Sequence, residues 1–460
     1  MTTNNVEMNT LPREDYVRVD DHFQKTKLDA GALFVLESKG NWVHAGYHLT
    51  TSIAGPGILS LPFAFATLGW GAGMFALLLA AAVTFYGYTL LSKVLEEREA
   101  KGRRHLRYRE LSSDILGHRW GAYVVAPMQF TVCLGAIVFC ALLCGQSLQL
   151  IYLIYNPNGT LKLYQFIIMA TVVIMVLSQL PSFHSLRHLN LLSTILALSY
   201  SLCVVCGSIY AGRSKHAPPK DYALVGSSLS KTFNSFNGLA VIGTAYGTSI
   251  IPEIQATLVP PVSGKMFKAL LLCYSVVLIT FISASIAGYW AFGNQSSGNI
   301  FQNFAPPNGV QVVPNWLIIL AASCVILQLL AIALVYSQPT FEVIEGRMSK
   351  VEKGKYGIRN VLPRLVLRSL FLAFGALIAA MLPFFGDLNA LIGSAGFIPL
   401  DFILPVILYS VVFKPSPKGP IFWINVAIVL IYTPLGIMGC VSAIRQIILD
   451  AKTYQLFANV

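Results

Sequence analysis

Long apolar runs with almost no charged residue recur along the 460-residue chain, separated by short polar segments. Each run approaches or exceeds the roughly 20 residues that an α-helix needs to cross a bilayer. The alternation of apolar and polar residues that marks a membrane β-barrel is missing. The pattern therefore predicts an all-α polytopic membrane protein with eleven spanning helices, at residues 44–68, 69–96, 123–155, 161–180, 184–211, 236–258, 265–292, 314–344, 362–381, 388–413 and 420–449.

Composition agrees with this fold class. Hydrophobic residues make up 55% of the chain and charged residues only 11%, whereas soluble domains contain about 25% charged residues. Residues 41–449 are predicted to form one membrane domain. Residues 1–40 are predicted to be a cytoplasmic tail, since residues 1–27 contain no apolar run and therefore nothing that resembles a signal peptide. Residues 450–460 form a short C-terminal tail in this prediction.

The distribution of Lys and Arg predicts how the chain is oriented. Segments 97–119 and 345–364 are rich in both residues, whereas segments 294–311 and 383–387 contain neither. Basic loops remain in the cytoplasm, so the N-terminus is predicted inside and the C-terminus outside. Segment 213–231 is an exception, because it is basic and is predicted to lie outside. The same asymmetry explains much of the net charge of +12, which therefore does not require a nucleic-acid partner.

Two N-x-S/T sequons give independent support for this orientation. They begin at Asn158 and Asn294, and both fall in loops that the prediction places outside. Either asparagine is a candidate for N-glycosylation, although the motif is short and is often unused.

The first predicted span contains an unusual cluster of helix breakers. The stretch SIAGPGILSLPFAF includes Gly55, Pro56 and Gly57 in succession. A helix interrupted at membrane depth leaves backbone groups unpaired, which is tolerated where they line a cavity or bind a ligand. A half-helix that starts near Ile58 would direct its free N–H groups toward an anion such as a carboxylate. The alternative is a kink that only improves packing.

The sixth predicted span has a matching interruption. The stretch GTAYGTSIIPEIQATL contains Gly243, Gly247 and Pro252. The first and sixth spans occupy equivalent positions if the first ten helices form two halves of five. Interrupted helices at corresponding places in two halves are the best sequence indication of a transporter's central site.

At these residues the sequence resembles a known family. The stretches GNWVHAGYHLTTSIAGPGILSLPFAFATLGW and GTSIIPEIQATL are similar to signatures of plant members of the amino acid/auxin permease family, and the similarity covers residues 32–449. The chain is most similar to the γ-aminobutyric acid (GABA) transporter branch, with proline and lysine/histidine transporters close by. The resemblance implies a LeuT-like fold of the APC superfamily, with five-plus-five inverted repeats and an eleventh helix appended. It also implies proton-driven uptake of amino acids.

The resemblance and the two interruptions together give a set of candidate substrate-binding residues. Backbone groups of the first break should hold a carboxylate, and carbonyl and hydroxyl groups of the sixth-span break should face an amino group. The third and eighth helices should close the pocket with small or polar side chains, each of which is as suited to packing as to binding. The candidates are Ala54, Gly55, Gly57 and Ile58, then Thr244, Ala245, Tyr246, Gly247, Thr248 and Ser249, and finally Gln129, Cys133, Ser323 and Gln328.

Two carboxyl groups lie at predicted membrane depth. Glu253 follows Pro252 in the sixth span, and Asp401 lies in the tenth. Such residues are costly in a bilayer and are functional candidates by default. Glu253 is predicted to carry a proton or to act in gating, with Asp401 as the second candidate. The alternative for Glu253 is a structural hydrogen bond near the cytoplasmic end of its helix.

The predicted function is a secondary active symporter that imports GABA and related ω-amino acids by alternating access. Proline or lysine/histidine transport is the alternative within the family, and an amino acid sensor is the alternative of another class. No cofactor, metal site or catalytic group is expected, because the chain lacks an H-E-x-x-H motif and a P-loop and has a single C-x-x-C pair, Cys203 and Cys206. The coupling ion is expected to be H⁺, with Na⁺ as the alternative. A monomer in the plasma membrane is expected, with an endomembrane or vacuole as the other location.

Overall fold

The computed structural model describes residues 40–179, 187–215, 219–306, 311–348 and 358–451. These parts of the chain are helical, with one isolated backbone bridge between Gly40 and Leu258. The helices are α1 (Trp42–Ile53), α2 (Leu61–Leu68), α3 (Trp70–Ala100), α4 (Tyr108–Leu116), α5 (Ala126–Tyr155), α6 (Leu163–Leu177), α7 (Arg187–Arg213), α8 (Ser228–Tyr246), α9 (Ile251–Ala256), α10 (Lys265–Phe292), α11 (Ile300–Phe304), α12 (Asn315–Met348), α13 (Ile358–Met381), α14 (Phe385–Ile392), α15 (Leu404–Phe413) and α16 (Pro420–Ala451). A helical turn at His118–Trp120 and a π-helical segment at Gly121–Val125 lead into α5, and a second π-helical segment, Gly393–Ile403, joins α14 to α15.

Nine helical segments within the described residues are long and apolar enough to cross a membrane. Two of the eleven predicted spans do not meet that standard. Helix α6 is a shorter apolar helix of 15 residues. Helix α8 begins with polar residues and ends at Tyr246, where the predicted sixth span is interrupted. The count of eleven therefore stays a prediction, and the predicted boundaries at residues 180 and 184 lie outside the described residues.

Apolar side chains lie on the outside of the helix bundle and polar side chains lie inside it, as in a protein surrounded by lipid. Large apolar residues cover the outside of the bundle, among them Val176 and Leu430, each with 69% of its surface exposed. Polar groups lie inside, where they bond to other helices. The buried Arg368 guanidinium, for example, donates a 2.7 Å hydrogen bond to the Ser178 carbonyl and stacks on the Phe341 ring. Such internal pairing is required where no water is available.

The interrupted first and sixth segments lie in the middle of the bundle. Helix α1 packs against α7 and α10, and α8 packs against α2 and α16. Helix α12 packs against α5 and α7 and passes beside α1. Ala245, at the end of α8, thereby comes next to Gly57 in the first break.

A short helix occupies the Arg-rich segment that the sequence treats as a loop. Helix α4 buries Tyr108, Leu111 and Ser112 on one side. The segment is held to the bundle by ion pairs, since Glu342 of α12 pairs with both Arg107 and Arg109. Arg104 also donates a 2.8 Å hydrogen bond to the carbonyl of Leu258, just after α9. This contact connects the basic segment to the second half of the sixth span.

Candidate functional site

The first span is interrupted between Ile53 and Pro56. Helix α1 ends at Ile53, Ala54 and Gly55 leave helical geometry, and a 3-10 segment at Pro56–Ser60 leads into α2. The carbonyl groups released by the break are bound by side chains of other helices. Gln328 Nε2 donates to the Ala54 carbonyl at 2.7 Å, and the Tyr336 hydroxyl donates to the Ser52 carbonyl at 3.1 Å. Both donors lie on α12, which therefore stabilises the unwound backbone.

The sixth span is interrupted between α8 and α9, over residues 247–250. Ser249 has a positive φ of 52°, a conformation that is unfavourable for a residue with a side chain. The Tyr88 hydroxyl donates to the carbonyl of Tyr246 at 2.9 Å, at the end of α8. The Tyr336 hydroxyl also lies 3.5 Å from the Gly247 carbonyl. The same hydroxyl therefore contacts both interrupted spans.

A cavity of about 60 Å³ separates the two breaks. It is mainly apolar, and four of its lining residues have polar side chains: Ser52, Thr244, Tyr336 and Asn389. Gly247 is required at its edge, because a Cβ atom there would overlap the Phe397 ring. The lining residues are Ser52, Ile53, Gly55, Gly57, Ala136, Phe139, Thr244, Ala245, Gly247, Ile332, Tyr336, Asn389, Ile392 and Phe397.

Five of the candidate substrate-binding residues line this cavity: Gly55, Gly57, Thr244, Ala245 and Gly247. The other candidates are not part of its lining. Ile58 is buried beside the break, and Ser323 is half-buried on α12. The carbonyls of Ala54 and Tyr246 already accept hydrogen bonds from Gln328 and Tyr88. Pro252 lies in the first turn of α9, and Pro56 lies at the start of the 3-10 segment.

Asp401 holds the backbone of the sixth-span break. Its Oδ1 accepts a 2.8 Å hydrogen bond from the amide of Ser249. Its Oδ2 accepts from the Ser249 hydroxyl at 2.8 Å and from the amide of Thr248 at 3.1 Å. Asp401 is 1% exposed. The amide groups of Thr248 and Ser249 therefore bind a carboxylate of the protein itself.

Glu253 is buried on the other side of the break. Its Oε1 accepts a 2.8 Å hydrogen bond from Gln129 Nε2 and a 3.0 Å hydrogen bond from the amide of Tyr108. Its Oε2 is buried and accepts no hydrogen bond from the described residues. The same Gln129 Nε2 donates to the Ser249 carbonyl at 3.1 Å. Gln129 therefore links the carboxyl group of Glu253 to the unwound backbone.

A vestibule of about 1010 Å³ opens on the side of the Arg-rich segment 97–119. It is bounded by α4, the start of α5, the end of α12 and Phe371 of α13. Charged residues such as Arg109 and Asp114 lie on its wall, and Gln129 and Cys133 lie on it at the level of Glu253. The vestibule therefore extends from the Arg-rich segment to residues next to the sixth-span break.

The opposite side of the cavity is closed by packed side chains. The rings of Phe139 and Phe385 lie 4.6 Å apart between centroids, and Phe139 is also part of the cavity wall. Above them, Asn299 Nδ2 donates to Gln146 Oε1 at 3.2 Å. Gln146 Nε2 in turn approaches the Pro383 carbonyl at 3.5 Å. The molecule is therefore open toward its basic loops and closed toward the loops that lack Lys and Arg.

Asn389 and Tyr336 are site residues that the sequence analysis missed. Asn389 is fully buried, and its Nδ2 donates to the Ser60 hydroxyl at 3.3 Å. Its Oδ1 has no donor among the described residues and is a free acceptor at the cavity. A lone amide within a predicted apolar span is the signal that would have identified Asn389. Tyr336 carries no such signal, because tyrosine is also a common packing residue.

The described residues contain no group of three His, Cys, Asp or Glu side chains that would hold a metal ion. The two sequons differ in their surroundings. Asn158 is exposed in the turn after α5, whereas Asn294 Nδ2 donates to Asp221 Oδ2 at 2.9 Å and to the Ala223 carbonyl at 3.3 Å.

Comparison with known proteins adds four findings. Residues 38–449 match the family model described as transmembrane amino acid transporter protein. The chain is 51% identical to GABA transporter 1 of Arabidopsis thaliana, over 94% of this chain and 96% of that protein. It is 29% identical to Lysine histidine transporter-like 1 of the same plant, over 96% of each chain. Among solved structures, its fold is similar to that of a substrate-bound, outward-open Na⁺-coupled sialic acid symporter, with a TM-score of 0.52 and 11% identity over 97% of each chain.

Proposed function

The chain belongs to the family of transmembrane amino acid transporter proteins, and we propose that it is a proton-coupled symporter that imports GABA and related ω-amino acids. It is a multi-pass membrane transporter and not an enzyme. The observation that carries the choice of substrate is the 51% identity to a GABA transporter over almost the full length of both proteins. Transport of basic amino acids is the weaker alternative, because identity to the lysine/histidine relative is 29% over a similar length.

The cavity between the two breaks has the chemistry expected for a short zwitterion. Glycines at positions 55 and 57 let a carboxylate approach the main chain of the first break. Asn389 Oδ1 supplies an acceptor for an ammonium group. The remaining wall is largely apolar, including Ile332 and Ile392, and suits the methylene groups between the two charged ends. A volume of about 60 Å³ favours an unbranched substrate.

Transport would proceed by alternating access around this cavity. In the proposed arrangement, two inverted repeats of five helices surround the site, and α16 forms the appended eleventh span. With the N-terminus in the cytoplasm, the vestibule faces inward and the closure at Phe139 and Phe385 faces outward. The monomer is the functional unit in this proposal, and the plasma membrane is the location.

Protons are the proposed coupling ion, and no cofactor takes part. Glu253 and Asp401 are the candidate carriers of the proton, since both are buried carboxyl groups next to the sixth-span break. A proton bound at either position would change the hydrogen bonds of that break and thereby the substrate site. Sodium coupling is the alternative.

Transport by the purified chain in liposomes tests the proposal. Labelled GABA should accumulate when the outside is more acidic than the inside, without sodium on either side. Collapse of the pH gradient with a protonophore should stop accumulation but leave exchange of internal for external GABA. A panel of amino acids that differ in the distance between the carboxylate and the amine should compete best near the length of GABA. Binding without net movement of GABA would instead indicate a sensor.

A further inference from the structure

The two buried carboxyl groups beside the sixth-span break differ in the number of hydrogen bonds that they accept. Asp401 uses both oxygens, which accept from two backbone amides and one hydroxyl. Glu253 uses only Oε1, and Oε2 has no partner among the described residues. A carboxylate that accepts several donors is stabilised as an anion. Asp401 therefore has more donors to its carboxylate, whereas Glu253 has an oxygen on which a proton displaces no existing hydrogen bond.

From this difference we infer that Glu253 binds the coupling proton and that Gln129 transmits its protonation state to the substrate site. The inference rests on the proposed symport. Asp401 acts as a positioning residue, which holds Ser249 in its left-handed conformation from the other side.

A single amide group makes the connection. Gln129 Nε2 donates at the same time to Glu253 Oε1, at 2.8 Å, and to the Ser249 carbonyl, at 3.1 Å. While Glu253 is charged, the bond to Oε1 is charge-assisted and fixes the orientation of the amide. A neutral Glu253 is a weaker acceptor, so the hydrogen bond that orients the Gln129 amide becomes weaker. The Ser249 carbonyl then loses its donor, and the backbone that follows Gly247 at the cavity is released.

The surroundings of Glu253 allow a proton to arrive from the basic side of the molecule. Gln129 and Cys133 lie on the wall of the vestibule, which opens on the side of segment 97–119. The charged or titratable groups that face Glu253 are Tyr108 and Arg109 of α4 and Cys133 of α5. Arg109 is also paired with Glu342 of α12 and does not form a direct ion pair with Glu253. Glu253 can therefore change its charge without breaking an ion pair.

Asp387 provides a matched control carboxyl group. It is 7% exposed in α14, and its Oδ1 accepts a hydrogen bond from Asn237 at 3.3 Å. It lies at the start of α14, outside the set of residues that line the cavity. The variant Asp387→Asn therefore changes a buried carboxyl group without changing the link between Glu253 and Ser249.

The test uses the full chain in liposomes with three measurements: GABA exchange at equal pH, accumulation driven by a pH gradient, and proton uptake recorded with an internal dye. Glu253→Gln should retain exchange while accumulation falls by about tenfold or more, because the proton gradient no longer drives the entry of GABA. Proton uptake on addition of GABA should disappear in this variant. Asp387→Asn should behave as the unmodified protein does. Asp401→Asn should impair exchange as well, because an amide does not accept all three donors.

Gln129→Asn tests the transmitting role. Its shorter side chain does not reach both Ser249 and Glu253, so exchange should persist while fewer protons enter per GABA molecule. A purely structural role of Gln129 would lower all three signals together and leave that ratio unchanged.

Two results would overturn the inference in distinguishable ways. Gradient-driven accumulation with proton uptake in Glu253→Gln would remove Glu253 as the carrier and leave the symport intact. Unmodified protein that exchanges GABA but ignores the pH gradient would refute the proposed coupling itself. If Glu253→Gln does not insert, Glu253→Asp decides, because a displaced carboxyl group should shift the pH at which transport is half-maximal. An unchanged pH profile in Glu253→Asp would contradict the assignment.

Discussion

The Cα atom of Ala245 lies 3.7 Å from the position that a Cβ atom would take on Gly57. These residues belong to different interrupted spans, so the end of α8 lies in van der Waals range of the first break at this point. A side chain on Gly57 would project into the cavity, which both residues line. The space for substrate therefore depends on the absence of a side chain at residue 57.

Gly57→Leu should weaken GABA binding by at least about tenfold, equivalent to ~1.4 kcal/mol, because the added side chain occupies the cavity. Binding to the purified variant checks this, and its yield and helical circular dichroism should match those of the unmodified protein. Gly71→Leu is the control, since no other residue lies within 4 Å of the Cβ position at Gly71. Unchanged affinity in Gly57→Leu would contradict the proposed carboxylate position.

Asn389→Ala should reduce the preference for ligands that carry an amino group. The change removes the free amide oxygen that the proposal assigns to the ammonium end of GABA. Competition by GABA and by butyrate, which lacks the amine, measures the preference directly. We expect GABA to lose about 1–3 kcal/mol of binding free energy and butyrate to lose little. Equal losses for both ligands would assign Asn389 a structural role.

Gln328→Ala should lower both the thermal stability and the affinity for GABA. The carbonyl of Ala54 loses its 2.7 Å donor, and a buried carbonyl left unpaired costs about 1–3 kcal/mol. The Tyr200 hydroxyl lies 3.5 Å from the same carbonyl oxygen. It should partly replace Gln328 as a donor and keep the loss of stability near the lower end of that range. Thermal unfolding in detergent measures the effect. Ser323→Ala, on the same helix, should leave the unfolding temperature unchanged.

Glu342→Gln should destabilise the fold more than the loss of a surface ion pair does. Glu342 is 2% exposed and pairs with Arg107 and Arg109. Removing one partner of a buried ion pair costs roughly 3–5 kcal/mol. Glu97→Gln is the control, because Glu97 pairs with Lys101 near the surface and such pairs contribute about 0–1 kcal/mol. Equal unfolding temperatures for the two variants would contradict the structural role of Glu342.

Labelling of introduced cysteines should reveal which side of the membrane the vestibule faces. Ser113 lies on the vestibule wall, and Gln295 is exposed in the loop after α10. The two variants are Ser113→Cys and Gln295→Cys. An impermeant thiol reagent added to intact cells should modify Gln295→Cys, and Ser113→Cys only after permeabilisation. The reverse pattern would invert the proposed orientation.

The positions of the two breaks could be predicted from sequence, but most of their partners could not. Gly55, Pro56 and Gly57 indicate a helix interruption, because the flexibility of glycine and the missing N–H of proline act on the backbone at these positions themselves. The partner of Ala54, by contrast, is Gln328, which lies 274 residues away. Sequence order does not indicate which face of α12 turns toward α1. It therefore could not show that Gln328, rather than Ser323, contacts the first break.

The same limit applies to the carboxyl groups. Their presence at membrane depth is visible in the sequence, but their different roles depend on donors from other helices. Asp401 meets Ser249 across 152 residues, and Glu253 meets Gln129 across 124. The short helix α4 was missed because its burial depends on Glu342 and on the end of α9, rather than on its own nine residues.

Helix α5 contributes residues both to the small cavity and to the vestibule. Ala136 and Phe139 line the small cavity. Gln129 contacts Glu253 and lies about 10 Å from Ala136 along the helix axis, at 1.5 Å per residue. Substitutions at the apolar positions would alter which molecule fits the cavity and leave the hydrogen bond between Gln129 and Glu253 in place. Within the proposed function, the size of the cavity and the hydrogen bond to Glu253 can therefore be altered independently by substitutions on one helix.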